Sequence, residues 1–179
     1  MVDDADHALL ERFRNGDDAA FRTLVVRYQR PVYNAAFWIL RNADDARDVA
    51  QTVFLRLAEH ADDYDRRHKV FSWIYRIAVN EALNLLRRNR REEALDEDAD
   101  FPDADEAEPD RRLERDERSR LVRSALLKMN VSDRAVITLR HFSELSYREI
   151  GEVLCIDEKT VKSRLFEARQ RLRALLPEL

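Results

Sequence analysis

The stretch SYREIGEVLCIDEKTVKSRLFEARQRLR, from Ser146 to Arg173, decides the fold. Val161, Leu165, Ala168, Leu172 and, just beyond it, Leu175 recur at steps of four, three, four and three, the period of one buried helical face. At about 100° of rotation per residue, Lys159, Lys162, Ser163, Phe166, Arg169, Gln170 and Arg173 gather on one exposed flank. Upstream, Ser146 and Glu149 have capping-box spacing, and Ile150, Val153 and Leu154 form the apolar side of a shorter helix. Cys155 to Asp157 leave room only for a tight turn. Short helix, turn and longer basic helix read as a helix-turn-helix, whose second helix enters the major groove. An ordinary helical hairpin with solvated charges is the bland alternative. Phe166 argues against it, because an aromatic among exposed cations gains little unless a base or a partner covers it.

The rest of the chain is helical on composition. Two glycines and four prolines in 179 residues leave no glycine-rich phosphate cradle, while 45% apolar residues suffice for globular cores. The lone Cys155 excludes an intramolecular disulfide and a cysteine-cluster zinc site, which suggests a reducing compartment. No apolar run is long enough to span a bilayer and the N-terminus is acidic, so a cytoplasmic protein without membrane insertion is expected. The formal charge of −4 conceals an asymmetry. Glu92 to Asp110 holds eleven carboxylates and no Lys or Arg, and the remainder is net basic by about +7, as in nucleic-acid binders. This acidic run reads as a disordered, flexible linker, either a solvated tether or a shield for basic faces. It divides an all-α chain into two small helical domains, residues 1–91 and 111–179, with the linker over 92–110.

Four helices are expected in the first domain. One runs from about Asp3 to Arg14 and stops at Asn15-Gly16; a second starts near Asp17 and contains Pro31, which is expected to kink or interrupt it. A third, capped within Asn42 to Asp44, continues to about His60, and a fourth spans about Val70 to Arg91. The third helix buries Val49, Val53 and Leu57 with Ala50 and Phe54, and leaves Leu55 beside Asp44, Asp48, Gln51, Thr52 and Glu59. An acidic face with an exposed leucine suits a protein partner; a stray surface leucine is the alternative. The fourth packs Phe71, Ile74, Ile77, Ala78 and Leu85 inward, while Trp73, Arg76, Asn80, Asn84 and Arg87 line another face. That face suits unpaired bases and their phosphates; a core tryptophan beside a cationic helix end is the alternative.

Three stretches then match a known family in order: DARDVAQTVFLRL (Asp45 to Leu57), FSWIYRIAVNEALNLLRRNRR (Phe71 to Arg91) and SYREIGEVLCIDEKTVKSRLFEARQRL (Ser146 to Leu172). The chain resembles the extracytoplasmic-function (group IV) sigma factors of bacterial RNA polymerase, of the sigma-70 family. The resemblance implies a non-enzymatic subunit, without metal or cofactor, that directs promoter-specific transcription initiation as an alternative sigma. It implies core RNA polymerase (β′ clamp helices and β flap), promoter DNA and an anti-sigma factor as partners. Asp45, Asp48, Gln51, Thr52 and Leu55 would dock on core polymerase. Phe71, Trp73, Arg76, Asn80, Asn84, Arg87 and Arg88 would recognise and melt the minus-ten element, with the loop from Ala61 to Lys69 capturing a flipped base. Lys159, Thr160, Lys162, Ser163, Arg164, Phe166 and Arg169 would read the minus-thirty-five element.

Departures from the family pattern fall at specific positions. Arg47 and Thr52 stand where the docking helix usually carries acids, which reduces its negative potential and makes Thr52 a candidate phosphosite. Cys155 stands where glycine is usual, at a cost on the order of 1 kcal/mol if the position needs positive φ. Met129-Asn130 replaces Leu-Pro before Ser132, the expected cap of the next helix. The rival is a LuxR-type helix-turn-helix regulator, which should carry a receiver or ligand-sensing α/β domain in place of the four N-terminal helices. An enzyme is disfavoured, since no nucleophile, metal cluster or phosphate loop assembles.

Overall fold

The computed structural model describes residues 2–93 and 117–176 of the chain, all helices and turns with no strand among them. α1 (Val2–Arg14) ends at Gly16, whose φ of +92° reverses the chain. α2 (Asp18–Leu40) is capped by Asp17, which accepts from the N–H groups of Ala19 and Ala20, and α3 (Ala43–Glu59) by Asn42, which accepts from Asp44 and Asp45. A 3₁₀ turn (Ala61–Asp63) and a loop lead into α4 (Val70–Glu93). The second half comprises α5 (Glu117–Lys128), α6 (Val131–His141), α7 (Tyr147–Leu154) and α8 (Glu158–Leu175).

Several expectations need correcting. α2 runs unbroken through Pro31. A mid-helix proline costs about 3 kcal/mol, and the buried row of Leu24, Tyr28, Val32, Ala35 and Ile39 holds both sides in register. The cap of α6 is Asn130, whose side chain accepts from Asp133 N at 2.9 Å; Ser132 lies inside the helix. α4 extends through Glu92 and Glu93, two residues into the expected linker, and 94–110 lies outside the described residues. On α4 the covered apolar positions are Val70, Ile74, Tyr75, Ala78, Val79 and Ala82, whereas Phe71, Ile77 and Leu85 are only half-buried. Leu175, part of the α8 seam expected from the repeat, is 41% exposed.

One contiguous core joins the two halves. α6 lies on α2, and α7 on α4. Trp38 near the end of α2 stacks on Phe142 just after α6, with centroids 4.8 Å apart. The buried Arg134 of α6 donates to Ile39 O of α2 at 2.6 Å and to Met129 O at 2.8 Å, satisfying a carbonyl in the last turn of α2.

Candidate nucleic-acid and protein interfaces

α8 presents a cationic face to solvent. Asp157 caps it, accepting from Thr160 N at 2.8 Å and from Thr160 Oγ1 at 2.6 Å, so the Thr160 hydroxyl is committed to the cap. Those hydrogen bonds, the hydroxyl first, hold the Asp157 carboxyl below its ordinary range. Val161, Leu165 and Ala168 are buried, and Leu172 half so, which turns Lys159, Lys162, Ser163, Arg164, Phe166 and Arg169 to solvent. Phe166 is 65% exposed in the middle of that face. Lys162 pairs with Glu158 at 2.7 Å, and Arg169 approaches His141 Nε2 at 3.3 Å. Lys159 and Arg164 have no ion-pair partner among the described residues.

The turn before α8 is set by two backbone constraints. Cys155 ends α7 at φ 54° and ψ 44°, the left-handed conformation that favours glycine. At Gly151 an added Cβ would stand 2.7 Å from Ile156 O, so the turn closes over a position without a side chain. At the other end of α7 the capping box is complete: Ser146 Oγ accepts from Glu149 N, and Glu149 accepts from Ser146 N at 2.8 Å.

On α3, Val49, Val53, Phe54 and Leu57 are buried, while Asp48, Gln51 and Leu55 are exposed, Leu55 by 64%; Asp45 and Thr52 are half-buried. Desolvation and, after it, the neighbouring Asp48 and Asp44 raise the Asp45 carboxyl above its ordinary value, against the Arg88 charge of α4. Arg47 pairs with Asp44, which removes negative potential from this face. Beside Leu55 runs a groove of about 770 Å³ between α2 and α3, walled by Phe21, Val25, Tyr33, Ala50 and Phe54. Sequence reasoning missed it. The half-buried α2 residues that form its far wall share the helical spacing of the core, and only packing separates the two.

The α4 face is divided. Asn80, Asn84, Arg87 and Arg88 are exposed, and Arg87 donates to Asn84 at 3.1 Å. Trp73 and Arg76 are half-buried and line a crevice with His68, Ser72 and Glu152 of α7. Phe71 is half-buried below Lys69, whose Nζ stands 5.3 Å from its ring. The preceding loop is fastened to α7 by Lys69 and Glu149 at 2.7 Å. Burial raises the Glu149 carboxyl, but the Lys69 ammonium and the Ser146 cap hold it net below its usual value. Trp73 also rests on Tyr64, with centroids 5.2 Å apart. Among the described residues no group of His, Cys, Asp and Glu is placed to hold a metal, and no helix is long and apolar enough to cross a membrane.

Two family models match the chain, Sigma-70 region 2 over residues 24–92 and Sigma-70, region 4 over residues 119–172. It is similar to the RNA polymerase sigma-H factor of Pseudomonas aeruginosa, 34% identical over 189 residues that cover 100% of this chain and 98% of the relative. The ECF RNA polymerase sigma factor SigW of Bacillus subtilis is 31% identical, with 95% and 96% covered. Among solved structures, CnrH in complex with the cytosolic domain of CnrY superposes with a TM-score of 0.71 at 28% identity, covering 96% of each chain. The sigma factor RpoE of Bartonella quintana, in complex with the anti-sigma factor NepR, shares the fold at 21% identity, with a TM-score of 0.71 over 87% of this chain and 95% of that one.

Proposed function

Because the chain belongs to the extracytoplasmic-function sigma factors of the sigma-70 family, we propose that it binds bacterial core RNA polymerase and directs promoter-specific transcription initiation as an alternative sigma factor. The observation that carries this reading is the order of the two family regions on one chain, each presenting its own exposed face. It acts by binding rather than by catalysis, in the cytoplasm. The domains are residues 1–93, closed by α4, and 111–179, joined by the acidic stretch 94–110.

In this reading Asp45, Asp48, Gln51, Thr52 and Leu55 dock on the β′ clamp helices, and the second domain contacts the β flap. Leu55 supplies an apolar anchor inside a polar rim, the composition of an energetically important contact. Phe71, Trp73, Arg76, Asn80, Asn84, Arg87 and Arg88 hold the separated minus-ten strand, with stacking on aromatics offsetting the unstacking of bases. Lys159, Thr160, Lys162, Ser163, Arg164, Phe166 and Arg169 serve the minus-thirty-five element in the major groove. Cations there fix register on phosphates, and side chains at base edges carry sequence information. Thr160 contributes through the cap it shares with Asp157. With α7 lying on α4, Glu152 borders the crevice of Trp73 and Arg76, and parting of the two halves would open both side chains further to a strand. Partners that hold the halves together, such as an anti-sigma factor, would oppose initiation.

A LuxR-type regulator does not fit a first half of four helices that matches Sigma-70 region 2. The test is run-off transcription by core polymerase and the purified chain on a pool of genomic fragments. Discrete start sites that appear only with the chain present are expected. A chain that binds DNA yet never directs initiation would overturn the reading.

A further inference from the structure

α1 precedes the Sigma-70 region 2 match, which begins at residue 24, and none of the promoter contacts proposed above involves it. It nonetheless grips the loop between α3 and α4 at two points. Arg14 Nε donates to Asp62 Oδ1 at 3.0 Å. Seven residues earlier, the half-buried His7 brings Nε2 to 3.3 Å from the carbonyl oxygen of His68. The buried Tyr64 hydroxyl donates to that same oxygen and also contacts His7 Nε2. With the hydroxyl proton directed at the carbonyl, the His7 nitrogen facing the pair is the one that carries hydrogen. Its ring lies 5.5 Å from that of Tyr64, and Tyr64 in turn supports Trp73. α1 is itself fixed to α2 through the fully buried Asp6, which accepts from Arg27 and Tyr28. Contact therefore runs without a gap from the body of the first half, through α1, to the loop and to the aromatic at the start of α4.

We infer that His7 is a positioning residue for strand capture: together with Tyr64 it pins the His68 carbonyl, and so sets the loop from Ala61 to Lys69 and the Trp73 ring in the arrangement that receives an unpaired base. This rests on the assignment of that loop and α4 to the minus-ten element. The physical basis is preorganisation. A loop held before the strand arrives loses less conformational freedom on binding, and a pocket of defined shape discriminates between bases where a loose one does not.

The experiment uses the full chain with core polymerase on a promoter recovered from the run-off pool, with each minus-ten base of the non-template strand substituted in turn. For the wild-type chain, the base that enters the loop should show a penalty of about 10- to 100-fold on substitution, the range for one mismatched position. His7→Phe keeps a ring and removes the N–H. It should shrink that penalty to within about threefold while leaving core binding and the salt dependence of binding unchanged. His7→Gln keeps an N–H donor at similar reach and should restore discrimination. Tyr64→Phe, which keeps both ring contacts and loses only the hydroxyl, should behave as His7→Phe does, and it decides the matter if His7→Phe does not fold. Unaltered discrimination in these variants, or an equal loss of transcription across all bases in His7→Phe and His7→Gln, would overturn the positioning role alone. Absence of run-off from the wild-type chain would overturn the sigma reading and this inference with it.

Discussion

Gly151 within α7 and Cys155 at its end border the same turn, and each is governed by backbone geometry. Cys155 occupies φ 54°, where a Cβ costs an L-residue roughly 1 kcal/mol or more. Its side chain is exposed, and its Sγ lies a long 3.9 Å from Glu152 O. Cys155→Gly should therefore raise the thermal midpoint by roughly 2–4 °C, the shift for about 1 kcal/mol in a chain of this size, with no change in promoter binding. Gly151→Ala should act oppositely, because the new methyl meets a backbone carbonyl that cannot move without opening the turn. A scan of both variants in the calorimeter checks the pair; equal midpoints would refute the account. His141 supplies a pH-dependent contribution. Burial, then the charges of Arg169 and Arg140, hold its imidazole below the ordinary 6.5. The unfolded chain takes up a proton near pH 6.5 and the folded chain resists, so this stability is full above that pH and is lost as pH falls through the lower folded value. The midpoint of His141→Gln should change less between pH 7.5 and 5.5 than that of the wild type.

At the scale of the element, α3 and α8 follow the 3.6-residue repeat closely. On α3 the repeat predicts Val49, Ala50, Val53, Phe54 and Leu57 inside with Leu55 outside, and the structure places them so except for Ala50, which is half-buried and lines the groove. Leu55→Asp should leave stability within about 0.5 kcal/mol, as for exposed positions in general, while weakening core-polymerase binding about tenfold or more in a pull-down titration. Unchanged binding would remove α3 as the docking element. Thr52 lies half-buried on the same helix, and a phosphate there would add up to about −2 charge. Equal transcription by Thr52→Glu and Thr52→Ala with core enzyme would end the proposal that this residue is a phosphorylation switch. Elsewhere the repeat was less informative. On α4 it nominated Ile77 and Leu85, although Tyr75, Val79 and Ala82 are the residues covered. A helix packed on two sides has more than one apolar row, and periodicity does not rank them. The cap at Asn130 was misassigned to Ser132 because both residue types accept from a backbone N–H, and only the start of α6 distinguishes them.

At the scale of the whole molecule, the contact between halves combines a stack, a buried guanidinium and a surface ion pair: Trp38 on Phe142, Arg134 to Ile39 O, and Lys69 with Glu149. The chain holds two tryptophans, and both report on this contact: Trp38 stacks on Phe142, and Trp73 lines the crevice with Glu152. Phe142→Ala removes the stack without leaving a buried charge unpaired, so it should red-shift the intrinsic emission and increase acrylamide quenching while helicity persists. A spectrum identical to the wild type would mean that the halves are held by the remaining contacts alone. Legible in the chain alone are the helical character of the described residues, where most of their helices begin and end, and which side of α3, α7 and α8 is apolar. These properties follow from capping residues and a repeat that each segment carries locally. Packing, by contrast, lets α2 continue through Pro31, opens a groove beside Leu55, sets Glu152 of α7 beside Trp73 and Arg76, and brings His7 to the loop before α4. Each of these depends on partners far apart in the chain, such as Lys69 and Glu149, which no local periodicity relates and which only the packing of completed helices brings together.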